Sequence, residues 1–515
     1  MQKILSRIDI ARLEEQQMRR DGIAEQDLIA LKSNAFCMEF KRTFGNHHHV
    51  MIYAGNGHNG AIALRVATTL HSLKYPVQVV LLNPTKQLPT LVRAEADNFE
   101  KIAPEALLEV TGNFAPPAIA SEDILIDGIC GIELEAPLSG TLPNVIRYLN
   151  SVHCTKVAID MPSGLLDGDN REVPAEHIFH AHYTYTFYAP KLSFLFKEYA
   201  DMIGIWKVLN SAVDVDSFQH TGDYDLFDLI DMEQALLPRP RFSNKYDYGR
   251  LLLIAGSRGM MGAALLAGRA AMVMGAGHLT LHLPHGAGMM AHIALPEVLV
   301  SEDPSEDAFS SDQIEYNKYD CIAVGCGLGS QVESALALEA LLSSYRKPIL
   351  LDADALNILA KDTTHRLLGM VPMGSVLTPH AGEFDRLFGA SDNSFDRLQK
   401  ACEMAKQYKV TILLKGPYTA TCLSSGQVVF NSTGNPGLAT AGTGDVLAGM
   451  VLALMGLGHT PERSAMIAAY LHGFAADLYA NSFCEESLTA SELIQQLPIA
   501  LKRFKNSREE ELGLY

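Results

Sequence analysis

The stretch Asn435-Pro-Gly-Leu-Ala-Thr-Ala-Gly-Thr-Gly-Asp445 places one carboxylate behind a loop depleted of bulk and ahead of an apolar run from Val446 to Leu454. Glycines 442 and 444 let backbone N–H groups close around an anion, and a helix starting near Asp445 adds the positive end of its dipole. The combination is a phosphate site with a base in it. Aspartate also serves as a helix cap or first-turn residue, yet capping leaves the glycines at 434, 437 and 444 unexplained.

Other groups that could do chemistry follow short β-branched runs. They are Gly325-Cys-Gly327-Leu-Gly329, Asp352-Ala-Asp354, Thr378-Pro-His380-Ala-Gly-Glu383 and Lys415-Gly416-Pro417-Tyr418-Thr419 in the second half. In the first half they are Gly55-Asn-Gly57-His-Asn59-Gly60, Asp127-Gly-Ile-Cys-Gly131 and Asp160-Met-Pro-Ser163. Open parallel sheets collect ligands at the carboxyl ends of their strands, where these motifs fall.

The elements that must position them are expected to be parallel strands alternating with helices. Strands are expected at 50–54, 77–82, 123–127, 156–160 and 183–188, then at 251–255, 278–283, 321–325, 348–352, 375–378 and 411–415. The fold class is therefore α/β, with two three-layer α/β/α domains. Residues 1–215 form the first domain and 241–515 the second. Residues 216–240, rich in acids and carrying Pro238-Arg-Pro240, read as a connector that joins neither sheet.

Composition narrows the function. The 515 residues, 48% hydrophobic and 19% charged, suit two ordinary globular cores. A formal net charge of -18 without a basic run argues against nucleic-acid and anionic-membrane partners. No apolar run reaches the roughly 20 residues that span a bilayer, and Met1–Arg20 reads as an amphipathic helix of a cytoplasmic protein. Eight scattered cysteines, with no CxxC pair, indicate neither a zinc site nor a disulfide framework. His47-His48-His49 is a weak metal signal, because neighbours on a strand face opposite ways.

The ordered motifs of the second half resemble the ribokinase-like NAD(P)H-hydrate dehydratase family, over roughly residues 225–505. The resemblance implies that Asp445 activates the hydroxyl of a nicotinamide hydrate, that ADP with Mg2+ supplies a phosphoryl group, and that loss of phosphate restores NADH or NADPH. It assigns Lys415, Gly416, Pro417, Tyr418, Thr419, Gly442 and Gly444 to the nucleotide, and Ala263, Gly327, His380 and Asp445 to the hydrate. Asp352 and Asp354 serve either strand-end packing or magnesium through water. Cys326 stands where the family has proline, which should loosen the turn; with no His or cationic neighbour in sequence, no catalytic thiol is expected. The Gly-Thr-Gly-Asp site alone also fits an ATP-dependent kinase of a vitamin precursor or sugar, with a structural or ligand-binding first domain.

The first half resembles the NAD(P)H-hydrate epimerase family, a Rossmann-like domain, over roughly residues 5–215, with Lys191 continuing the match. The resemblance makes Asn59, Asp127 and Ser163 ligands of a potassium ion and turns Asp160 and the Gly131 loop toward the substrate. It also implies a homo-oligomer. This chain departs from the family loop, reading His58-Asn59-Gly60-Ala61-Ile62-Ala63 where an aspartate and further glycines are usual, and Gly131-Ile132-Glu133 where Gly-Thr-Gly is usual, so a weakened or purely structural domain stands as the alternative to an active epimerase.

Overall fold

The computed structural model describes residues 1–112, 115–211, 213–215, 217–218, 222–310 and 314–511, with side chains to residue 505. The chain divides into two compact units, residues 3–222 and residues 223–515, the latter taking in Met1–Gln2.

In the unit of residues 3–222, seven parallel strands stand in the order Leu107–Val110, Val77–Leu82, Val50–Ala54, Ile124–Gly128, Thr155–Ile159, Tyr183–Phe187, Ile205–Leu209. The order reverses between Val50–Ala54 and Ile124–Gly128, and that reversal opens a crevice at their carboxyl ends. Both faces of the sheet are covered. Met51 and Tyr53 enter one apolar core, while Val50, Ile52 and Ala54 are equally buried on the other face, as a period of two requires.

The second unit repeats the scheme. Leu299–Glu302, His278–Leu283, Arg250–Ile254, Cys321–Val324, Ile349–Leu351, Val376–Leu377 and Thr411–Leu414 are parallel neighbours in that order. The reversal lies between Arg250–Ile254 and Cys321–Val324, where the loops of Gly256 and Gly327 meet. Beyond Thr411–Leu414 the sheet stops being parallel. Ala420–Cys422 and Val428–Asn431 extend it antiparallel as a meander.

The expected connector does join a sheet. Tyr224–Phe227 pairs in parallel with Val428–Asn431, burying Leu226 and Phe227. Asp225, whose acidity disguised this strand, directly precedes them and accepts a hydrogen bond from Gln427 Nε2 at 2.6 Å. Residues 216 and 219–221 of that stretch, and 512–515 at the chain end, lie outside the described residues. His47–His49 are a further correction. They occupy the turn before strand Val50–Ala54 rather than the strand, with His48 bonded to the Glu122 carbonyl and His49 beside Asp123.

One close approach fixes the helix that carries Asp445. Helix Thr443–Gly456 crosses helix Met261–Val273 at Gly449, where an added Cβ would lie 2.0 Å from the Ala267 carbonyl oxygen. Only a residue without a side chain permits this contact. Gly449→Ala is expected to push the helices apart and destabilise the second unit by about 3 kcal/mol, read as a lower urea midpoint for this unit's transition.

Candidate functional site

In the second unit, Asp445 is the third residue of helix Thr443–Gly456 and not its cap. The N-cap position is Gly442, at φ 90°, which offers no side-chain oxygen. The first-turn N–H groups are therefore left uncapped by side chains, the condition in which a helix start holds an anion. Thr443 fixes this turn by donating its hydroxyl to the carbonyls of Leu438 and Thr440, both at 2.9 Å.

Asp445 is half-buried. Burial and the neighbouring Asp352 charge push its carboxyl up to about 6, against weaker lowering by a Cys326 hydrogen bond and Lys415. Lys415 Nζ donates to Asp352 Oδ1 at 3.0 Å and lies 3.9 Å from Glu383 Oε2. Burial would lower the Lys415 ammonium, but the charges of Asp352 and Glu383 outweigh it and keep the group raised. A Cβ on Gly444 would stand 3.6 Å from Lys415 Nζ, so ammonium and helix start face the same space.

That space is a cavity of about 720 Å³, lined by Lys415–Thr419, Thr433–Pro436, Gly444 and His380 among others. The structure thus brings together the residues 415–419, Gly444 and His380 singled out by the sequence. Ala263 and Gly327 also meet, since a Cβ on Gly327 (φ 59°) would fall 2.9 Å from Ala263 Cβ. Cys326, in the same loop, is buried, and burial together with the Asp352 charge holds its thiol far above its usual range. It is inert.

His380 has a local duty as well. It caps helix Ala381–Phe388, its Nδ1 accepting the N–H groups of Gly382 and Glu383 at 3.0 and 3.3 Å. Asp352 is spent on Lys415, and Asp354 accepts the Gly329 N–H at 2.9 Å and an Asn357 amide hydrogen at 3.2 Å. Between them Ala353 takes φ 47°, a strained conformation for a residue with a side chain. Among the described residues no cluster of three His, Cys, Asp or Glu side chains stands ready for a metal ion.

In the first unit, Asp127 is fully buried. Its carboxylate accepts Ser163 N at 2.7 Å, Ser163 Oγ at 2.6 Å and Ile129 N at 3.1 Å. Burial outweighs those bonds and pushes it up to about 6. Asn59 donates its amide hydrogens to the carbonyls of Cys130 and Ile159, at 2.7 and 3.1 Å, which leaves Oδ1 buried with no hydrogen-bond partner. Asp160, at φ 66°, accepts from Thr186 Oγ1 at 3.0 Å and Ile132 N at 3.2 Å and lies 3.4 Å from Lys191 Nζ. Burial opposes its ionisation, but Lys191 and Lys32 prevail and hold it below the usual carboxylate range.

The altered loop has a physical reading. Ile62 is 2% exposed and has become core packing. Glu133 reaches the start of helix His58–Ser72, where Oε1 accepts the Asn59 N–H at 3.3 Å. Its carboxylate stands 3.4 Å from the Cβ position of Gly57 and 2.8 Å from that of Gly131. A carboxylate of the chain's own thus rests on the glycine loop at this helix start.

Residues 251–499 match the family model described as NAD(P)H-hydrate dehydratase, and residues 25–193 match that of the YjeF-related protein N-terminus. The bifunctional NAD(P)H-hydrate repair enzyme of Moorella thermoacetica is 33% identical over 477 residues, spanning 90% of this chain and 89% of that protein. The chain belongs to the bifunctional NAD(P)H-hydrate repair enzyme family. The Escherichia coli member is 30% identical over 497 residues, with 95% of this chain and 92% of that protein covered. Among solved structures, the ADP/ATP-dependent NAD(P)H-hydrate dehydratase of Bacillus subtilis, co-crystallized with ATP/Mg2+, is 34% identical. It covers 54% of this chain and 98% of its own, with a TM-score of 0.49.

Two residues of this repair-enzyme chain escaped the sequence reading. Asp477 accepts the Gly434 N–H and an Asn435 amide hydrogen, each at 2.9 Å, and so ties down the loop ahead of Asp445. His472 holds the Thr443 carbonyl at 2.8 Å. Both sit on helix Pro461–Ala480, far from the glycine motifs in sequence; their polarity on a small-residue, apolar helix was the signal available.

The raised Asp445 carboxyl has a consequence for stability. An acid at about 6 in the folded state and at its ordinary value of 3.8 in the unfolded chain makes folding weaker wherever the unfolded chain is charged. The cost begins above the unfolded value and is fully present above about pH 6. Asp445→Asn removes it and is expected to stabilise the second unit by about 2–3 kcal/mol at pH 7.5, with the gain shrinking toward pH 4. Thermal melts across that range check it.

Proposed function

We propose that the second unit dehydrates (6S)-NAD(P)H hydrate to NAD(P)H using ADP as phosphoryl donor, and that the first unit interconverts the R and S hydrates. The observation that carries the dehydratase reading is Asp445, a desolvated carboxylate raised to about 6 beside the Lys415 ammonium at an uncapped helix start.

In this reading Asp445 takes the proton of the hydrate hydroxyl as that oxygen attacks the β-phosphorus of ADP. The bond between that phosphorus and the bridging oxygen breaks, and AMP leaves with the electron pair. The N–H groups of Thr443 and Gly444 and the Lys415 ammonium stabilise the charge spread over the phosphoryl oxygens. The C–O bond of the phosphorylated hydrate then breaks, phosphate departs with the pair, and loss of the adjacent C–H proton restores the double bond. Phosphorylation is useful because hydroxide leaves poorly and phosphate well. Residues 415–419, Gly442 and Gly444 hold the nucleotide, and Ala263, Gly327 and His380 the hydrate. Mg2+ would travel with the nucleotide phosphates, since it keeps most of its ligands as water and phosphate oxygen.

The donor set of the first unit fits potassium. Asn59 Oδ1 is a buried oxygen without a donor, Asp127 is a carboxylate that an adjacent cation would return to its ionised form, and Ser163 adds a hydroxyl. Potassium there would supply positive charge beside the strand ends, with Asp160 and the Gly131 loop facing the substrate and the buried Lys191 holding Asp160 in its charged form. The small-molecule substrate, the acidic chain and the lack of a helix long and apolar enough to cross a membrane among the described residues support a cytoplasmic setting. Met289, Met290 and Ile293, exposed on helix Gly288–Ala294, support a homo-oligomer.

Three outcomes are expected. With (6S)-NADH hydrate and ADP, the wild-type chain releases AMP, phosphate and NADH one to one to one by chromatography; a stable phosphorylated alcohol would instead mark a kinase. The rate falls as pH drops through about 6, because the base is lost on protonation, and Asp445→Asn lowers kcat by about 10²-fold or more. Potassium raises the thermal midpoint of the first unit relative to choline, and Asn59→Ala removes that rise.

A further inference from the structure

His472 lies on helix Pro461–Ala480, is 8% exposed, and forms part of the wall of the 720 Å³ cavity with Leu447, Ala469 and Gly473. Its Nε2 stands 2.8 Å from the Thr443 carbonyl oxygen. A carbonyl only accepts, so Nε2 carries the hydrogen. Burial and the Lys415 charge drive the imidazole down to about 4, more than the Thr443 bond restores, so the ring is neutral at physiological pH. A neutral ring with hydrogen on Nε2 has a bare lone pair on Nδ1. Among the described residues Nδ1 has no hydrogen-bond partner, and the ring borders the cavity.

We propose that His472 is a nucleotide-reading residue: Nε2–H fastens the turn that carries Asp445, and Nδ1 accepts a hydrogen bond from a nucleoside donor. The inference rests on the nucleotide reading of the cavity. Ionised phosphates only accept, so an acceptor here selects the other end of the ligand. ADP offers three such groups, the ribose 2′ and 3′ hydroxyls and the adenine exocyclic amine. A site built to receive a donor rejects analogues lacking it, because its own buried acceptor is then left unpaired. Gly473 keeps this wall thin, since its Cα lies against Thr433 with no room for a side chain. Thr433 in turn donates to the Tyr470 carbonyl at 2.7 Å, so ring and loop are held by one helix.

The test is calorimetric binding of ADP with Mg2+, without hydrate, to the full chain. Wild type is expected to bind ADP about tenfold or more tightly than either inosine diphosphate, which lacks the amine, or 2′- or 3′-deoxy-ADP. The analogue that suffers names the donor. His472→Phe should erase that preference, and His472→Gln, which restores a donor and an acceptor, should recover part of it. Wild type binding all four nucleotides alike overturns the proposal without any variant, as does His472→Phe weakening every nucleotide by the same factor. A wild-type chain that binds no ADP overturns the nucleotide reading itself, a result distinct from ADP binding without discrimination.

Discussion

One half-buried and poorly compensated carboxylate governs the second unit. Asp445 has little to satisfy its charge, because Gly442 supplies no side-chain oxygen, the helix is apolar behind it, and the nearest cation is already paired with Asp352. Its elevated affinity for a proton follows from that isolation. So does the need for the surrounding scaffold: Gly449 sets the helix against its neighbour, Thr443 and His472 tie the first turn, and Asp477 tethers the loop in front. Each acts on geometry. None adds charge that would pull the carboxyl back to its ordinary range.

The first unit solves a related problem with a different answer. Asp127 and Asp160 are both buried at strand ends, yet burial dominates one and lysine dominates the other, so their proton affinities are driven apart. One carboxyl is thereby left to be charged by a neighbouring cation, while the other already holds its charge beside lysine. Strain collects at the same places. Asp160 and Ala353, one in each unit, take positive φ where a strand gives way to a loop, and such conformations persist only where the surroundings enforce them.

Much of this was legible in the sequence for physical reasons. Val50–Ala54 is buried on both faces and reads as an unbroken apolar run, so its position matched to the residue, and His278–Leu283 matched as well although histidines interrupt its apolar residues. Tyr224–Phe227 and Ile205–Leu209 carry charges at a sheet's flank and were missed. Asp445 was visible because a glycine-rich loop before an apolar helix is rare local chemistry. His472 and Asp477 were not, since their partners lie 29 and 42 or more residues away. The departures Ile62 and Glu133 were legible as substitutions. That one becomes core and the other settles on a helix start required coordinates.

The most direct test of the account is recovery of NADH absorbance from an equal mixture of R and S NADH hydrate, with ADP, Mg2+ and K+, under conditions where spontaneous epimerisation is slow. The account expects ADP-dependent recovery of the whole pool, the S half by dehydration and the R half after epimerisation. Recovery that halts at the S half would contradict the role given to the first unit. No ADP-dependent recovery would contradict the role given to Asp445 and its cavity.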